Sequence, residues 1–505
     1  MKVLSSGLFL NHYQWLIVTI ALIFLMLLPT LVTAAPWFNP GDPRMRHSLQ
    51  QLADRGHLNR GVTSWPVMVG SVDGGLDYNR AGSDEVIATS LGYINFERDM
   101  QSSRGLRAEV AISLTSDQAF LQGFAPAPRD TQAQATYEFL GDHLALGLNY
   151  AYALDPEDTK NHRFDGSYVA FTAANLAFGA GYLDRWWGPG WQSSLILSTN
   201  ARPIPALWLS RVDEKPFDLP LLNLLGPWQF TLFAGQLEKE RDHADAKMVG
   251  MRLTLRPIKG LDVGFSRTFT FGGQGQQESG GALGRILIGR TNEPYNGRPV
   301  ADQIGSVDLR YGFSLGDYTL GLYGQMMGED EAGAFPAKKS WLFGMDATSR
   351  FFENNQQWFI EYSNTLADGM FGDGIPNVSY EHSNWTTGNR YLGRNQASTF
   401  EGDSRNLTVG LFNFFPNGHN LGLSAAYAEL NIEDAPVRAT IVDSAISYFV
   451  PAEKTEILFF NINYGMQYGA GWIDLALQFQ DDTFMRASGG KQEQVAAGVS
   501  YKYRF

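Results

Sequence analysis

The segment from Gln494 to Phe505 constrains the fold more than any other part of this chain. Strand side chains alternate with period two, so Val495, Ala497, Val499, Tyr501, Tyr503 and Phe505 share one face and Ala496, Gly498, Ser500, Lys502 and Arg504 share the other. One face is apolar and aromatic to the last residue; the other is small or charged. The ends of soluble domains usually fray, whereas a strand that closes a transmembrane barrel keeps a greasy outer face along its whole length. The edge of a soluble β-sandwich is the competing reading, and the rest of the chain decides between them.

Composition favours the barrel. The 505 residues include 54 glycines and 13% aromatics, with a mean hydropathy of only −0.20. A barrel wall meets lipid with alternate residues alone, so high aromatic content with middling hydropathy is expected of it. Beyond the N-terminus no apolar run is long enough for a spanning helix. The chain has no cysteine, which excludes disulfides, thiol chemistry and thiolate metal sites and suits an oxidising periplasm. The formal charge of −13 argues against a nucleic-acid partner.

Residues 1–34 read as a secretory signal: Lys2, the apolar core Trp15–Leu28, and Val32-Thr33-Ala34 as a small-x-small cleavage site. Residues 35–104 read as a small periplasmic helical region. Asp42 is positioned to cap a helix with Pro43 in its first turn; Met45, Leu49 and Leu52 form an apolar stripe, and Gly56 marks the stop. Trp65-Pro66 marks an extended turn, and Ser83-Asp84-Glu85 opens a second helix carrying Val86, Ile87 and Leu91. Such a region either caps the larger body or plugs it.

Residues 105–505 read as an outer-membrane β-barrel. His143–Leu154 alternates Leu, Leu, Leu, Tyr, Tyr, Leu against Ala, Gly, Asn, Ala, Ala, and Gly141-Asp142 supplies a tight turn before it. The same pattern recurs from Met248–Arg256 to Trp472–Gln480. Short connections such as Leu315-Gly316-Asp317 alternate with long polar ones, Gly272–Gln303, Met327–Lys339 and Thr365–Ser404. Short periplasmic turns and long extracellular loops are how outer-membrane barrels are built. The alternation supports between roughly 16 and 20 strands, and an even count requires a boundary between Ile441 and Gln494 to be redrawn. Aromatics near strand ends (Trp186, Trp187, Trp191, Trp228, Phe351, Phe352, Phe414, Phe415, Tyr448, Phe449) are expected in an interfacial girdle.

Several segments resemble the capsule-assembly Wzi family. They are Trp186-Trp187-Gly188-Pro189-Gly190 with Arg202-Pro203, Gly226-Pro227-Trp228, Asn292-Glu293-Pro294, Asp308-Leu309-Arg310-Tyr311, and Gly328-Glu329-Asp330-Glu331-Ala332-Gly333 with Pro336 and Lys338. Arg44–Gly56, Ser64-Trp65-Pro66 and the loop from Ser379 to Gly393 are also similar to it. The resemblance implies an all-β fold, a large antiparallel transmembrane β-barrel of about 18 strands with a small N-terminal periplasmic α-helical region. It implies a non-enzymatic surface lectin of the outer membrane that holds capsular or extracellular polysaccharide. The partners it suggests are that polymer, outer-membrane lipid and polysaccharide-export machinery.

The residues themselves carry no hydrolase or metalloprotease motif, and no cofactor is expected. Gly273-Gln274-Gly275 lacks the strand-to-helix setting of a phosphate loop, and His382 lacks the second and third groups that a hydrolase needs. Glu329-Asp330-Glu331 reads as a solvated turn or as partners for Lys338 and Lys339, with the wrong spacing for an EF-hand, so no metal site is assigned. The favoured polymer site is Trp385, Asn389, Arg390, Tyr391 and Arg394. Aromatic rings stack on sugar C–H faces, while Asn and Arg hydrogen-bond hydroxyls and uronates. This loop either displays those groups outward or folds inward as a plug. A porin-like channel for small solutes is the alternative function.

Overall fold

The computed structural model describes residues 37–141, 143–287, 297, 300–332 and 335–505, without the side chains of 282, 283, 287, 330–332, 335 and 336. The proposed signal (1–34) and Asn292-Glu293-Pro294 lie outside the described residues.

Alternation builds a closed antiparallel barrel. Its first wall strand, Gly105–Thr115, pairs with its last, Val495–Arg504, through Gly498↔Thr115 to Arg504↔Glu109. Nineteen strand segments make up the ring, but His162–Arg163 and Tyr168–Ala173 both pair with Leu144–Ala153 and are two pieces of one strand. The wall therefore has eighteen strands, an even number. The parity problem resolves because 431–454 adds no strand to the wall, and Thr455–Tyr468 turns at Gly469-Ala470 directly into Gly471–Gln480.

The faces fall as the period dictates. Val495, Tyr501 and Phe505 are exposed on the outer surface, while Ala496 and Ser500 are buried inside. Leu146, Leu148, Tyr150 and Tyr152 point out, and Ala145 and Ala151 point in. An outer wall of exposed Leu, Ile, Phe and Tyr is stable only against lipid. Among the described residues no helix is long and apolar enough to cross a membrane. Both ends of the wall and the short turns share one rim, and the long connections share the other.

The helix expected after Asp42 runs Pro43–Asp54, with the Asp42 carboxylate accepting from the amides of Arg44 (2.8 Å) and Met45 (3.0 Å). Gly56 sits at φ +77, the left-handed conformation that ends a helix cheaply only at glycine. The second helical start is also present: Asp84 caps a short 3-10 turn, Glu85–Ile87, that leads into helix Ala88–Ser102.

The first helix does more than cap. Every residue from Met45 to Asp54 is buried, polar ones included, because the helix lies inside the barrel. Its Met45-Leu49-Leu52 stripe joins the main apolar core, and its polar side meets inward-facing wall residues. Arg310 clamps Asp54 with two bonds of 2.7 Å and also pairs with Asp346 at 2.8 Å. Arg256 binds the Ala53 carbonyl and Asp262, and Arg252 spans Asp308 and the Thr63 carbonyl. Charges buried this deeply persist only when paired with an opposite charge and hydrogen-bonded.

Several girdle assignments need correction. Trp186, Trp187, Trp191, Phe414, Tyr448 and Phe449 are buried inside, whereas Phe351 and Phe352 are exposed at the short-turn rim as expected. The reason is topological: the first three, with Tyr448 and Phe449, belong to long connections that fold back into the lumen, and Phe414 faces inward against His47. The long loop expected over Met327–Lys339 is strand at 327–332 and at 335–339. It forms a two-stranded ribbon paired from Gly328↔Lys339 to Ala332↔Phe335, so Glu329-Asp330-Glu331 lies on a strand.

Candidate functional site

The lumen is filled from both ends by chain. From the short-turn side come the N-terminal helix and Ser64–Trp65; from the other come 116–131, 183–204 and 365–404. Trp186–Trp187 pairs antiparallel with Ser64–Trp65, knitting the two sets together. The Arg46 guanidinium donates to the carbonyls of Gly190 (2.8 Å) and Pro189 and stacks 4.1 Å from the Trp191 ring. Burial lowers the Arg46 pKa to about 9, opposed by Tyr323, Asp346 and Glu361, so it stays charged at neutral pH. On the wall side, Glu361 accepts from the amides of Trp191 (2.7 Å) and Ser193 (2.8 Å), and Gln325 accepts from the Leu195 amide and donates to the Trp187 carbonyl. A Cβ at position 190 would sit 2.2 Å from the Ser193 carbonyl and 2.8 Å from Glu361, which explains Gly190. The Trp186–Gly190 motif is thus the keystone of a plug.

The second half of the plug is the loop favoured for polymer binding. Trp385, Asn389, Arg390 and Arg394 are buried, and Tyr391 is half-buried. The expectation of outward display therefore fails for four of the five. The inward-folding alternative describes them: Trp385 and Arg394 bond to other segments of the chain, and Arg390 and Asn389 bond within the folded loop itself. Trp385 donates to the Gly272 carbonyl at 3.1 Å. Arg390 bridges Glu381 (2.6 Å) and Glu401 (2.9 Å). Asn389 exchanges main-chain bonds with Tyr380 and Gln396. Arg394 donates to the Ala119 and Phe120 carbonyls. Glu329 of the family motif accepts from the Tyr380 amide, fastening the ribbon to this loop. Asp330 and Glu331 side chains lie outside the described residues. His382 accepts from the amides of Asn384 and Trp385 within its own turn. The Gly273 amide is taken by Glu278. Among the described residues, no three histidines or carboxylates converge as metal ligands.

At the mouth, Tyr391 and Arg394 meet a charged cluster that sequence reasoning missed. Arg202 pairs with Asp158 (2.7 Å) and Asp165 (2.6 Å), and Arg163 pairs with Asp158 and Asp130. Arg394 and Arg486 sandwich the Phe449 ring at 3.7 and 4.1 Å. A cavity of about 10 Å³ lies among Arg129, Asp158, Arg202, Tyr391 and Arg394, room for little beyond a water. Arg129, Glu157, Asp165, Arg202 and Tyr391 remain partly open at its outer edge. Burial, reinforced by Arg129, lowers the Arg394 pKa to about 9. The one signal available in the sequence was Arg202-Pro203. The acids and Arg486 lie in loops with no local pattern to single them out.

The model of a family described as capsule assembly protein Wzi matches residues 115–497, which is 383 of 505 residues and nearly the whole barrel wall. The chain belongs to the Wzi capsule-assembly family. It is 27% identical over 339 residues to an uncharacterized 55.8 kDa protein in the cps region of Klebsiella pneumoniae, spanning 64% of each chain. The chain thus matches less than two thirds of that relative's length. Its fold is similar to a solved structure described as Wzi, an outer-membrane protein involved in group 1 capsule assembly in Escherichia coli and a carbohydrate-binding β-barrel. The TM-score is 0.76 at 21% identity, covering 94% of this chain and all of that one. At that identity the likeness is one of fold. It agrees with the large antiparallel barrel of about 18 strands that the family resemblance implies.

Proposed function

We propose that this protein is an outer-membrane surface lectin that binds and anchors capsular or extracellular polysaccharide, and that it binds without catalysing. In this reading the signal is cleaved after Ala34, the helical end faces the periplasm, and the long loops face the medium. Export machinery is a candidate partner on the periplasmic side. Family membership across the barrel carries the reading, and the E. coli relative's description as a carbohydrate-binding barrel supports it.

The mouth has suitable chemistry. Arg129 and Arg202 offer planar donors to hydroxyls and carboxylates, Glu157 and Asp165 offer acceptors, and Tyr391 offers an aromatic face. The buried Trp385, Asn389, Arg390 and Arg394 act by holding the loop that carries Tyr391. The porin-like alternative needs a water path, and the interdigitated plug leaves little room for one. Deleting the gene is expected to release surface polymer into the medium, and restoring it to return the polymer to the cells. Cell-bound polymer that is unchanged by deletion, or a large steady open-channel current through purified protein, would overturn the proposal.

A further inference from the structure

The connection from Arg211 to Trp228 stands apart from the other turns on its rim. Neighbouring strands there are joined by Ala174-Asn175, Lys259-Gly260 or Gly316-Asp317. This one instead carries Leu219, Leu221, Leu222 and Leu224, which are 61, 81, 40 and 71% exposed. Leucines in a flexible turn would collapse inward, but these are held out. The Asn223 amide donates to the Leu219 carbonyl (2.8 Å), its side chain donates to Phe217 (3.1 Å), and the Gly226 amide returns to Asn223 (3.0 Å). Gly226 lies at φ +68, where a Cβ would stand 1.9 Å from the Arg256 carbonyl, so the turn presses directly against the base of the wall.

The turn lies on the lipid side of that base. Phe217 stacks on Trp228 with centroids 4.5 Å apart, and the Arg211 guanidinium covers the Trp228 ring at 3.8 Å. Trp228 begins a strand whose outward positions, Trp228, Phe230 and Leu232, are half-buried apolar residues, and the next strand ends in exposed Ile258. Exposed Leu315, Tyr318, Phe351, Phe352 and Phe505 follow around the same rim. The leucines are therefore continuous with the lipid-facing surface.

We infer that the Leu219–Leu224 turn is a hydrophobic foot that inserts among the phospholipids of the leaflet on the short-turn side. Apolar side chains on a rigid turn, backed by an aromatic and an arginine at headgroup level, match the chemistry of interfacial insertion. The occupant is phospholipid, not protein, and the foot sets how deep the barrel sits on that side.

The chain has no cysteine, so Leu221→Cys and Leu224→Cys each accept one nitrobenzoxadiazole dye. Asp99→Cys, on an exposed helical site at the same end, serves as the wet control. In phosphatidylethanolamine–phosphatidylglycerol vesicles, a nitroxide on the lipid acyl chain is expected to quench the dyes at 221 and 224 roughly threefold more than the dye at 99. Aqueous iodide should show the reverse order. Equal quenching by iodide at all three sites overturns the inference. So does a dye that is wet in vesicles of purified protein but shielded in native membrane fragments, which would identify a protein occupant.

Discussion

Replacing Glu361 by alanine tests whether the plug is held by the wall. Glu361 is buried and accepts from the amides of Trp191 at 2.7 Å and Ser193 at 2.8 Å, with a longer contact from Gln192 at 3.4 Å and the Tyr323 hydroxyl at 3.2 Å. Alanine removes every acceptor and leaves the two well-bonded amides buried without partners. Each such orphan costs about 1–3 kcal/mol. Water entering the vacated space offsets part of this, so about 3 kcal/mol for the pair is a reasonable figure. That shifts the balance between seated and unseated plug about a hundredfold. The barrel ladder is untouched, so the folded band on a heat-modifiability gel should be unchanged. The readout is planar-bilayer conductance: wild-type protein stays closed, whereas Glu361→Ala shows frequent openings. Glu361→Gln, which keeps one carbonyl acceptor, should fall between them. If Glu361→Ala is as silent as wild type and equally resistant to proteolysis within 184–204, then Glu361 does not hold the plug.

Arg390→Met should strand Glu381 and Glu401 without their shared partner and loosen the 365–404 loop by about 3–5 kcal/mol, read as faster protease cleavage there; an unchanged digestion pattern would refute it. Burial raises the Glu381 pKa to about 7 against the pull of Arg390, and raises Asp403 to about 6. Acids with raised folded-state values contribute stability that is full below their unfolded values and is lost as pH rises through 6 to 7. Protection factors in this loop, after correction for base-catalysed intrinsic exchange, should therefore be higher at pH 5.5 than at pH 8, and Glu381→Gln should flatten that difference. The double variant Arg202→Ala/Tyr391→Ala should reduce cell-bound polymer while the barrel still folds and inserts, measured by polymer release and by heat-modifiability; full retention would remove the mouth cluster from the site.

The wall was legible because period-two alternation is a local signal, and lipid on one side keeps that signal clean. The N-terminal helix was legible for the same kind of reason, since Asp42, Pro43 and Gly56 act within a few residues of themselves. The plug was not. Asp54 meets Arg310, Arg46 meets Gly190, and Arg394 meets Phe120 across 256, 144 and 274 residues of chain. A polar residue destined for a lumenal pair looks the same in sequence as one destined for water. Trp186 and Trp187 read as girdle residues in sequence because tryptophan near a strand end most often sits at a membrane interface. The family motif marked their importance but not their burial. For the same reason the sequence leaves the loop around Trp385 open between outward display and inward plug, since its aromatic and guanidinium groups serve equally well to bind a polymer outside or carbonyls inside.

The inserted helix Pro43–Asp54 connects through Ala88–Ser102 to the first wall strand, and that covalent leash has a kinetic consequence. A free peptide leaving the lumen would diffuse away, but a stopper on a short leash stays at an effective concentration of order millimolar at its own doorway. Any gap that opens is resealed by a unimolecular step, whatever the number of protein copies in the membrane. A large pore in the cell's outer barrier can thus be carried safely, with leakage confined to brief and self-limiting events.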